Sequence, residues 1–211
     1  MTPGPTIIRK CSACGKHIAE HTIASGNTFG ARFWTDGKRD APMLPDQPWL
    51  VKCQHCGTLV WIDEQAQVEE IDPWGSGTGG ADRFPDACPA STPTMEDYAC
   101  FLGTGVSDKQ KERYVRLRTW WASNDPRRES VQSTPLNSFE AENLRAFVSL
   151  LDEGEDNDRL MKAEALRELG EFTDAEKLLA TKFDDELAQA VSIIRDLNQK
   201  RSATVAEMRF E

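Results

Sequence analysis

Two pairs of cysteines with the same spacing constrain this chain more than any other feature. Each pair has the form Cys-x2-Cys-Gly, and the four cysteines are Cys11, Cys14, Cys53 and Cys56. Two thiolates three residues apart can bind one tetrahedral ion when the chain between them turns tightly, and the glycine that follows permits that turn. The pattern therefore predicts one structural Zn²⁺ per chain, held by these four cysteines.

The main alternative for such a pattern is a redox-active dithiol. Redox Cys-x2-Cys motifs usually occur as one copy at the start of a helix, whereas this chain has two copies, each followed by glycine. The 38 residues between the pairs exceed the usual spacing, but doubling a loop costs only about 0.6 kcal/mol. A site closed by four sulfurs leaves no position for water or substrate, so we expect a structural rather than a catalytic metal.

The remaining potential ligands do not share this spacing. Cys88 and Cys100 lie in or beside a Gly- and Pro-rich segment and are expected to be ordinary thiols. His55 lies inside the second cysteine pair, where both ligand positions are already filled. His17 and His21 are expected at the surface or packed on a strand.

The composition is that of an ordinary globular protein with an acidic surplus. The 211 residues include 25 Lys and Arg against 35 Asp and Glu, a net charge of −10, which disfavours a protein held mainly on nucleic acid or an anionic membrane. No run approaches the roughly 18 consecutive apolar residues of a membrane span, and the residues up to Ile8 lack the apolar core of a signal peptide. We therefore expect a soluble, cytoplasmic protein with no membrane partner; the sequence does not indicate its oligomeric state.

Composition divides the chain into three parts. Residues 1–71 contain four of the six cysteines and short β-type runs, residues 72–93 are rich in Gly, Pro, Ser and Thr, and residues 94–211 have apolar residues at helical spacing. We predict a zinc-binding β domain, a linker or covering loop, and an α-helical domain over these ranges. Alternation at Phe29, Ala31 and Phe33 before Asp36-Gly37 predicts a β-hairpin, and short apolar runs predict strands on either side of the second cysteine pair.

Amphipathic helices are predicted for the C-terminal part. The predicted starts are Thr94, Ser107 or Asp108, Asn137 with Ser138, and Asp158. The predicted apolar stripes are Tyr114, Leu117 and Trp121; Leu144, Phe147, Val148 and Leu151; Met161, Ala165, Leu166 and Leu169; Phe172, Ala175, Leu178 and Leu179; and Leu187, Val191, Ile194 and Leu197. Short connections favour antiparallel helix pairs, each burying its stripe against a neighbour.

The two halves resemble different families. The paired Cys-x2-Cys-Gly motifs resemble the zinc-ribbon family, which implies two β-hairpins that clamp one zinc. Within 160–179, six residues stand at spacings similar to those of a tetratricopeptide repeat (TPR): Ala163, Leu166, Gly170, Phe172, Ala175 and Leu179. Segment 25–57 with its helical tail is similar to bacterial proteins of unassigned activity that join a zinc ribbon to TPR-like helices. The predicted fold is therefore α+β, with a small β-hairpin zinc ribbon followed by antiparallel, TPR-like helical hairpins.

We predict a non-enzymatic zinc-binding protein whose helices from Phe139 to Leu197 bind another protein. The alternative is a nucleic-acid-binding accessory factor, in which the loop between the cysteine pairs and the basic segment 109–128 contact phosphates. The candidate partner-binding residues are Phe33, Trp34, Trp49, Arg116 and Trp120. A place in the core is the competing interpretation for the aromatic residues, and ion pairing with the acidic helices is the competing interpretation for the basic ones. No convergent acid, base or nucleophile predicts an enzyme.

Overall fold

Most strands lie in the N-terminal part of the chain, and the α-helices occupy the C-terminal part. The structure is a computed structural model that describes residues 1–74, 83–129 and 134–210. Its strands are β1 (Thr2–Lys10), β2 (His17–Ser25), β3 (Arg32–Trp34), β4 (Arg39–Asp40), β5 (Leu50–Lys52), β6 (Leu59–Trp61), β7 (Ala66–Ile71), β8 (Cys88–Pro89) and β9 (Glu207–Met208). Its α-helices are α1 (Met95–Gly103), α2 (Lys109–Glu129), α3 (Ser138–Val148), α4 (Asp156–Glu168), α5 (Phe172–Leu179) and α6 (Ala188–Gln199). The predicted α+β class is confirmed.

The described chain forms two compact units. The first contains Met1–Ala31 and Asp40–Asp97, and the second contains Arg32–Arg39 and Tyr98–Glu211. Part of the insert between the cysteine pairs therefore belongs to the helical unit, where β3 pairs antiparallel with β9. The predicted boundaries of the linker, after residue 71 and after residue 93, stay predictions.

The first unit is built on two hairpins. β1 and β2 pair antiparallel within a sheet of order β7-β1-β2-β8, and β5 and β6 form a second antiparallel hairpin. β8 joins the sheet in parallel, through Ile18 opposite Cys88 and Ala19 opposite Pro89. The predicted strands on both sides of the second cysteine pair are thus confirmed. The hairpin at the first pair was implied only by the zinc-ribbon resemblance, and Pro3, Gly4 and Pro5 interrupt the pattern of β1.

The core of the first unit includes two of the predicted ligands. Its hydrophobic cluster consists of Cys11, Ile18, Val51, Cys53, Val60 and Ile62. So small a cluster provides limited burial on its own, and a metal held by its two cysteines would add to the stability of the unit.

The predicted hairpin around Asp36-Gly37 is confirmed in part. The turn is present: Gly37 has a φ of 78° and its N–H donates to the carbonyl of Trp34 over 2.9 Å. The strand is shorter than predicted, because Phe29 precedes β3 and is 86% exposed. Apolar alternation alone therefore placed the strand too early.

Side-chain caps begin the first three helices. Thr94 Oγ1 accepts from the Asp97 N–H over 3.2 Å, and Asp108 Oδ1 accepts from the Gln110 N–H over 2.8 Å. Asn137 forms a full capping box with Glu140. The predicted starts at Thr94 and Asn137 are confirmed, and Asp108 rather than Ser107 caps α2. α4 begins at Asp156, two residues before the predicted start.

Each helix from α2 to α5 packs against the next one in the second unit, and α4 contributes to two hydrophobic clusters. The stripe of α3 is confirmed, since Leu144, Phe147 and Leu151 are buried. The predicted face of α2 is confirmed only at Leu117, which packs against the cluster around Trp120. Tyr114 and Trp121 are half-buried, and the buried residues of the helix are Val115, Thr119, Trp120, Ser123 and Asn124. Polar residues occupy much of this buried face because they form hydrogen bonds inside the unit, so the apolar spacing does not reveal it.

None of the helices in the described ranges has both the length and the apolar character needed to cross a lipid bilayer.

Candidate metal centre

Both cysteine pairs lie in turns at the ends of hairpins, and the two turns have the same backbone structure. In the first, Cys11 N–H donates to the Lys16 carbonyl over 2.9 Å and Gly15 N–H donates to the Cys11 carbonyl over 2.8 Å. Gly15 has a φ of 74°, in the left-handed region that disfavours residues with a Cβ. The chain therefore folds back sharply enough to bring Cys11 and Cys14 to the same side of the turn.

The second turn repeats this arrangement. Cys53 N–H donates to the Thr58 carbonyl over 3.0 Å, Gly57 N–H donates to the Cys53 carbonyl over 2.8 Å, and the φ of Gly57 is again 74°. The first cysteine of each turn is buried and the second is exposed. Each glycine also lies beside the lysine that precedes the turn: the Cε atoms of Lys10 and Lys52 would lie 3.7 and 3.9 Å from a Cβ at these positions.

The two turns bring the four sulfur atoms together. The Sγ atoms of Cys11, Cys14, Cys53 and Cys56 all lie within 4.8 Å of one another. The Cys14 and Cys53 sulfurs are 3.9 Å apart. In a tetrahedral zinc–thiolate centre with bonds of about 2.3 Å, neighbouring sulfurs are about 3.8 Å apart. The donor set and its spacing therefore fit a metal ion of the zinc type.

The sulfurs differ in their surroundings. Burial raises the pKa of the Cys53 thiol to about 12, whereas the Thr58 hydroxyl, 3.3 Å from Cys56 Sγ, lowers the pKa of Cys56 to about 6. Metal binding requires all the ligands as thiolates, so binding releases protons and the affinity falls in acid.

Gln65 connects the first turn to the end of β6. Its Oε1 accepts from the Ser12 N–H over 2.8 Å and its Nε2 donates to the Trp61 carbonyl over 3.0 Å. Gln65 is only 6% exposed, and the Arg9 guanidinium donates to its main-chain carbonyl. Gln65 thus positions one cysteine pair relative to the strand that follows the other, a role that no spacing in the sequence indicates.

The other thiols and imidazoles stay outside the four-sulfur group. His55 Nε2 lies 3.3 Å from Cys88 Sγ and 2.9 Å from the Asp86 carbonyl, and His17 Nδ1 lies 2.8 Å from Asp86 Oδ1. The sequence indicated no link between Cys88 and His55; the pairing of β8 with β2 brings them together. Cys100 is exposed on α1.

The five predicted partner-binding residues occupy different environments. Trp34 and Trp120 are 4% and 2% exposed, so they are core residues of the second unit. Phe33 and Arg116 are half-buried, whereas Trp49 belongs to the first unit and is 46% exposed. A partner-binding role for the five residues stays a prediction, and Trp49 has the most accessible surface among them.

Many cations of the basic segment 109–128 already have acidic partners within the second unit. The ion pairs are Arg113 with Asp158, Arg116 with Glu112, Arg127 with Glu140, and Arg128 with Asp36 and Asp125. Cations paired in this way attract phosphates less strongly than unpaired ones. Nucleic-acid binding stays a prediction.

A buried polar cluster in the second unit was not predicted. Asn124 Nδ2 donates to Asp36 Oδ2 over 3.0 Å and to both carboxylate oxygens of Glu168 over 3.1 Å. Trp120 Nε1 donates to Glu168 over 2.8 Å, and Arg128 pairs with Asp36. Burial raises the pKa of Glu168 to about 8.

The cluster extends to a second buried ion pair on α4. Arg167 and Glu164 are both 0% exposed, and Arg167 Nε donates to Glu164 over 2.8 Å. Arg167 also donates to the main-chain carbonyls of Ser202 and Thr204, which holds the C-terminal segment on α4. The spacing of Glu164 and Arg167 on one helix could have predicted their pairing, but nothing in the sequence links Asp36 to α2.

No protein-family model, curated protein or solved structure matches this chain. The zinc-ribbon and TPR resemblances therefore rest on the residues named in the sequence analysis.

Proposed function

We propose that this protein binds one structural Zn²⁺ through Cys11, Cys14, Cys53 and Cys56 and acts, without enzymatic activity, by binding another protein. One observation carries the metal assignment: two turns from separate hairpins bring four sulfurs within 4.8 Å of one another. Soft thiolates in a tetrahedral set favour zinc over the oxygen-seeking cations.

A structural role is supported by the place of the site in its unit. Cys11 and Cys53 belong to the hydrophobic cluster of the first unit, so the metal would stabilise the residues packed around it. Four thiolates fill a tetrahedral coordination sphere and leave no position for water or substrate. The ion would then contribute folding free energy, as structural zinc does in other small domains.

A protein partner is supported by the distribution of apolar surface. The large apolar side chains that are clearly exposed in the first unit are Met1, Phe29, Met43, Trp49, Val68 and Trp74. Between Phe139 and Leu197, a range described throughout, no large apolar side chain is comparably exposed. The helices would therefore offer a partner mainly polar contacts, and the metal-bearing unit would offer the apolar ones.

The metal assignment is tested by the composition of the purified full chain. We expect native mass spectrometry to show one zinc per chain, and X-ray absorption to show sulfur neighbours at about 2.3 Å. Cys14→Ser and Cys56→Ser, which alter the two exposed ligands, should lower the zinc content, whereas Cys100→Ser should retain it. A folded, metal-free chain whose stability EDTA does not change would contradict the proposal.

A further inference from the structure

The outer edge of β2 has main-chain groups without a hydrogen-bond partner among the described residues along most of its length, and Met43 and Leu44 lie beside Gly26, just beyond its far end. β8 pairs only with Ile18 and Ala19 of β2. Beyond them, in the part of the chain that the structure describes, the main-chain groups of residues 20–25 bond only to β1. Open strand edges bind extended chains unless Pro, Lys or a covering segment blocks them. Residues 20–25 read Glu-His-Thr-Ile-Ala-Ser and contain neither Pro nor Lys.

A cavity lies where β8 stops. Its volume is about 350 Å³, and its lining includes the four consecutive β2 residues 18–21 together with Trp49, Asp63 and Pro89. Successive side chains of a strand point to opposite faces, so a cavity that touches four in a row adjoins the edge of the strand. The open edge and the cavity therefore form one continuous site, which we call the β2-edge site.

The walls of the β2-edge site are apolar, and its carboxylates are incompletely paired. Pro48, Trp49, Val51 and Ala90 contribute apolar lining. Arg9 binds Oε2 of Glu20 over 2.6 Å and approaches Oδ1 of Asp63 at 3.4 Å. The second oxygen of each carboxylate accepts no hydrogen bond from any described residue, and the side chain of Asp63 is 76% exposed.

The net charge of the first unit, like the incompletely paired carboxylates, favours a cationic ligand at the β2-edge site. Residues 1–31 and 40–97, which make up the first unit, contain 5 Lys and Arg against 12 Asp and Glu, a net charge of −7. Bound Zn²⁺ with four thiolates would add two further negative charges. Such a surface attracts cationic segments and repels nucleic acid and acidic peptides.

We propose that the β2-edge site binds an extended, basic segment of another protein, which adds a strand to β2 and places a Lys or Arg side chain in the cavity. The main chain of the segment would bond to residues 20–25. The aliphatic stem of its basic residue would pack on Trp49, and the charged group would meet the free oxygens of Glu20 and Asp63. Strand addition with a pocket for one side chain is a recurrent mode of peptide recognition, and an aromatic ring beside a cation adds attraction.

This inference deepens the proposed function and rests on it, since Ile18 and Val51 line the cavity and belong to the same cluster as Cys11 and Cys53. The probe is a displayed library of random twelve-residue peptides, selected on the zinc-loaded full chain. The most enriched peptide is then synthesised with a fluorescent label and titrated. The zinc content of the same preparation is measured alongside.

We expect enriched peptides to carry a Lys or Arg between β-branched or aromatic residues. Trp49→Ala and Asp63→Lys should each weaken binding of the labelled peptide at least about tenfold, which is a loss of about 1.4 kcal/mol. Both positions are accessible at the surface, so the fold should tolerate the changes. Val68→Ala is the matched control, because Val68 is exposed on β7 at the opposite edge of the same sheet and should leave binding unchanged.

Three results would overturn the inference: no enrichment, enriched peptides without a basic residue, or binding that neither Trp49→Ala nor Asp63→Lys weakens. If any of these results is obtained with a preparation that contains one zinc per chain, the metal assignment still holds and only the β2-edge proposal is contradicted. A preparation that contains no zinc would contradict the metal assignment, whatever the result of peptide binding.

Discussion

At the residue scale, two glycines decide whether the cysteine turns can form. Gly15 and Gly57 have the same positive φ, and each follows the second cysteine of its pair. A residue with a Cβ in this conformation costs about 1–2 kcal/mol. The four sulfurs lie together only while both turns keep this shape, so the glycines would support binding of the proposed metal ion without touching it.

We expect Gly57→Ala to destabilise the protein by about 1–2 kcal/mol and to weaken zinc retention. Thermal unfolding and competition with a zinc-binding dye measure the two effects. Gly103→Ala is the matched control, because its φ is not in the left-handed region and no atom lies within 4 Å of an added Cβ. Equal behaviour of the two variants would show that the turn does not require glycine.

Glu168 is a fully buried carboxyl whose pKa is raised in the folded state. Its pKa is about 8 in the fold, chiefly through burial, against an ordinary value of 4.5. Between these values the unfolded chain releases the proton while the folded chain holds it. The contribution to stability is therefore complete below about pH 4.5 and is lost as the pH rises through about 8.

We accordingly expect the free energy of unfolding of the second unit, which contains Glu168, to fall between pH 5 and 8, and Glu168→Gln to remove most of that slope. The size of the effect is on the order of a few kcal/mol. Urea unfolding across this range measures it, with Glu142→Gln, an exposed position on α3, as the control. A slope that survives in Glu168→Gln would assign the pH dependence to other groups, among them Asp36, whose pKa burial also raises.

At the element scale, the capping residues determine where the helices begin. Asn137 Oδ1 accepts from the Glu140 N–H over 2.9 Å, and Glu140 Oε2 accepts from the Asn137 N–H over 2.8 Å. Glu140 also pairs with Arg127 of α2 over 2.7 Å. The capping box thus fixes the start of α3 and ties it to the preceding helix.

Asn137→Ala should lower the free energy of unfolding by about 1 kcal/mol, because the Glu140 N–H loses its acceptor. Chemical denaturation monitored by circular dichroism measures the change. Ser138→Ala, one residue later on an exposed position, should change stability by only a few tenths of a kcal/mol. If the two variants were equally stable, the capping box would make no contribution to the free energy of unfolding.

Local signals allowed prediction of most helices and of the metal ligands. Caps such as Asn137, periodic stripes such as Leu144 and Phe147, and the cysteine spacing all act over a few residues. The buried face of α2 was not predictable in this way, since Asn124 is buried by hydrogen bonds to Asp36 and Glu168, which are distant in sequence. The same holds for Gln65, whose role depends on a turn more than fifty residues earlier.

At the scale of the whole molecule, the two units have separate hydrophobic clusters. The cluster of the first unit includes two of the four cysteines, whereas those of the second unit are built from residues of the helical region. Loss of the metal should therefore act first on the strands around the cysteines.

We expect EDTA to expose the first unit to limited proteolysis while the helical circular dichroism signal at 222 nm is largely retained. The reason is that the metal contributes folding free energy only where its ligands lie. Cys14→Ser should mimic the chelator, and Cys100→Ser should behave as the unaltered chain. Loss of the helical signal together with the strands would mean that the two units unfold as one.

Segment 32–39 leaves the ribosome between the two cysteine pairs, yet it belongs to the unit completed by the helices. During synthesis the second cysteine pair emerges soon after this segment, whereas Arg128, the partner of Asp36, is made more than seventy residues later. If domains form in the order of synthesis, the proposed zinc ion would close the loop while Asp36 is still hydrated. The nascent chain would thus bind its ion before it buries that carboxylate.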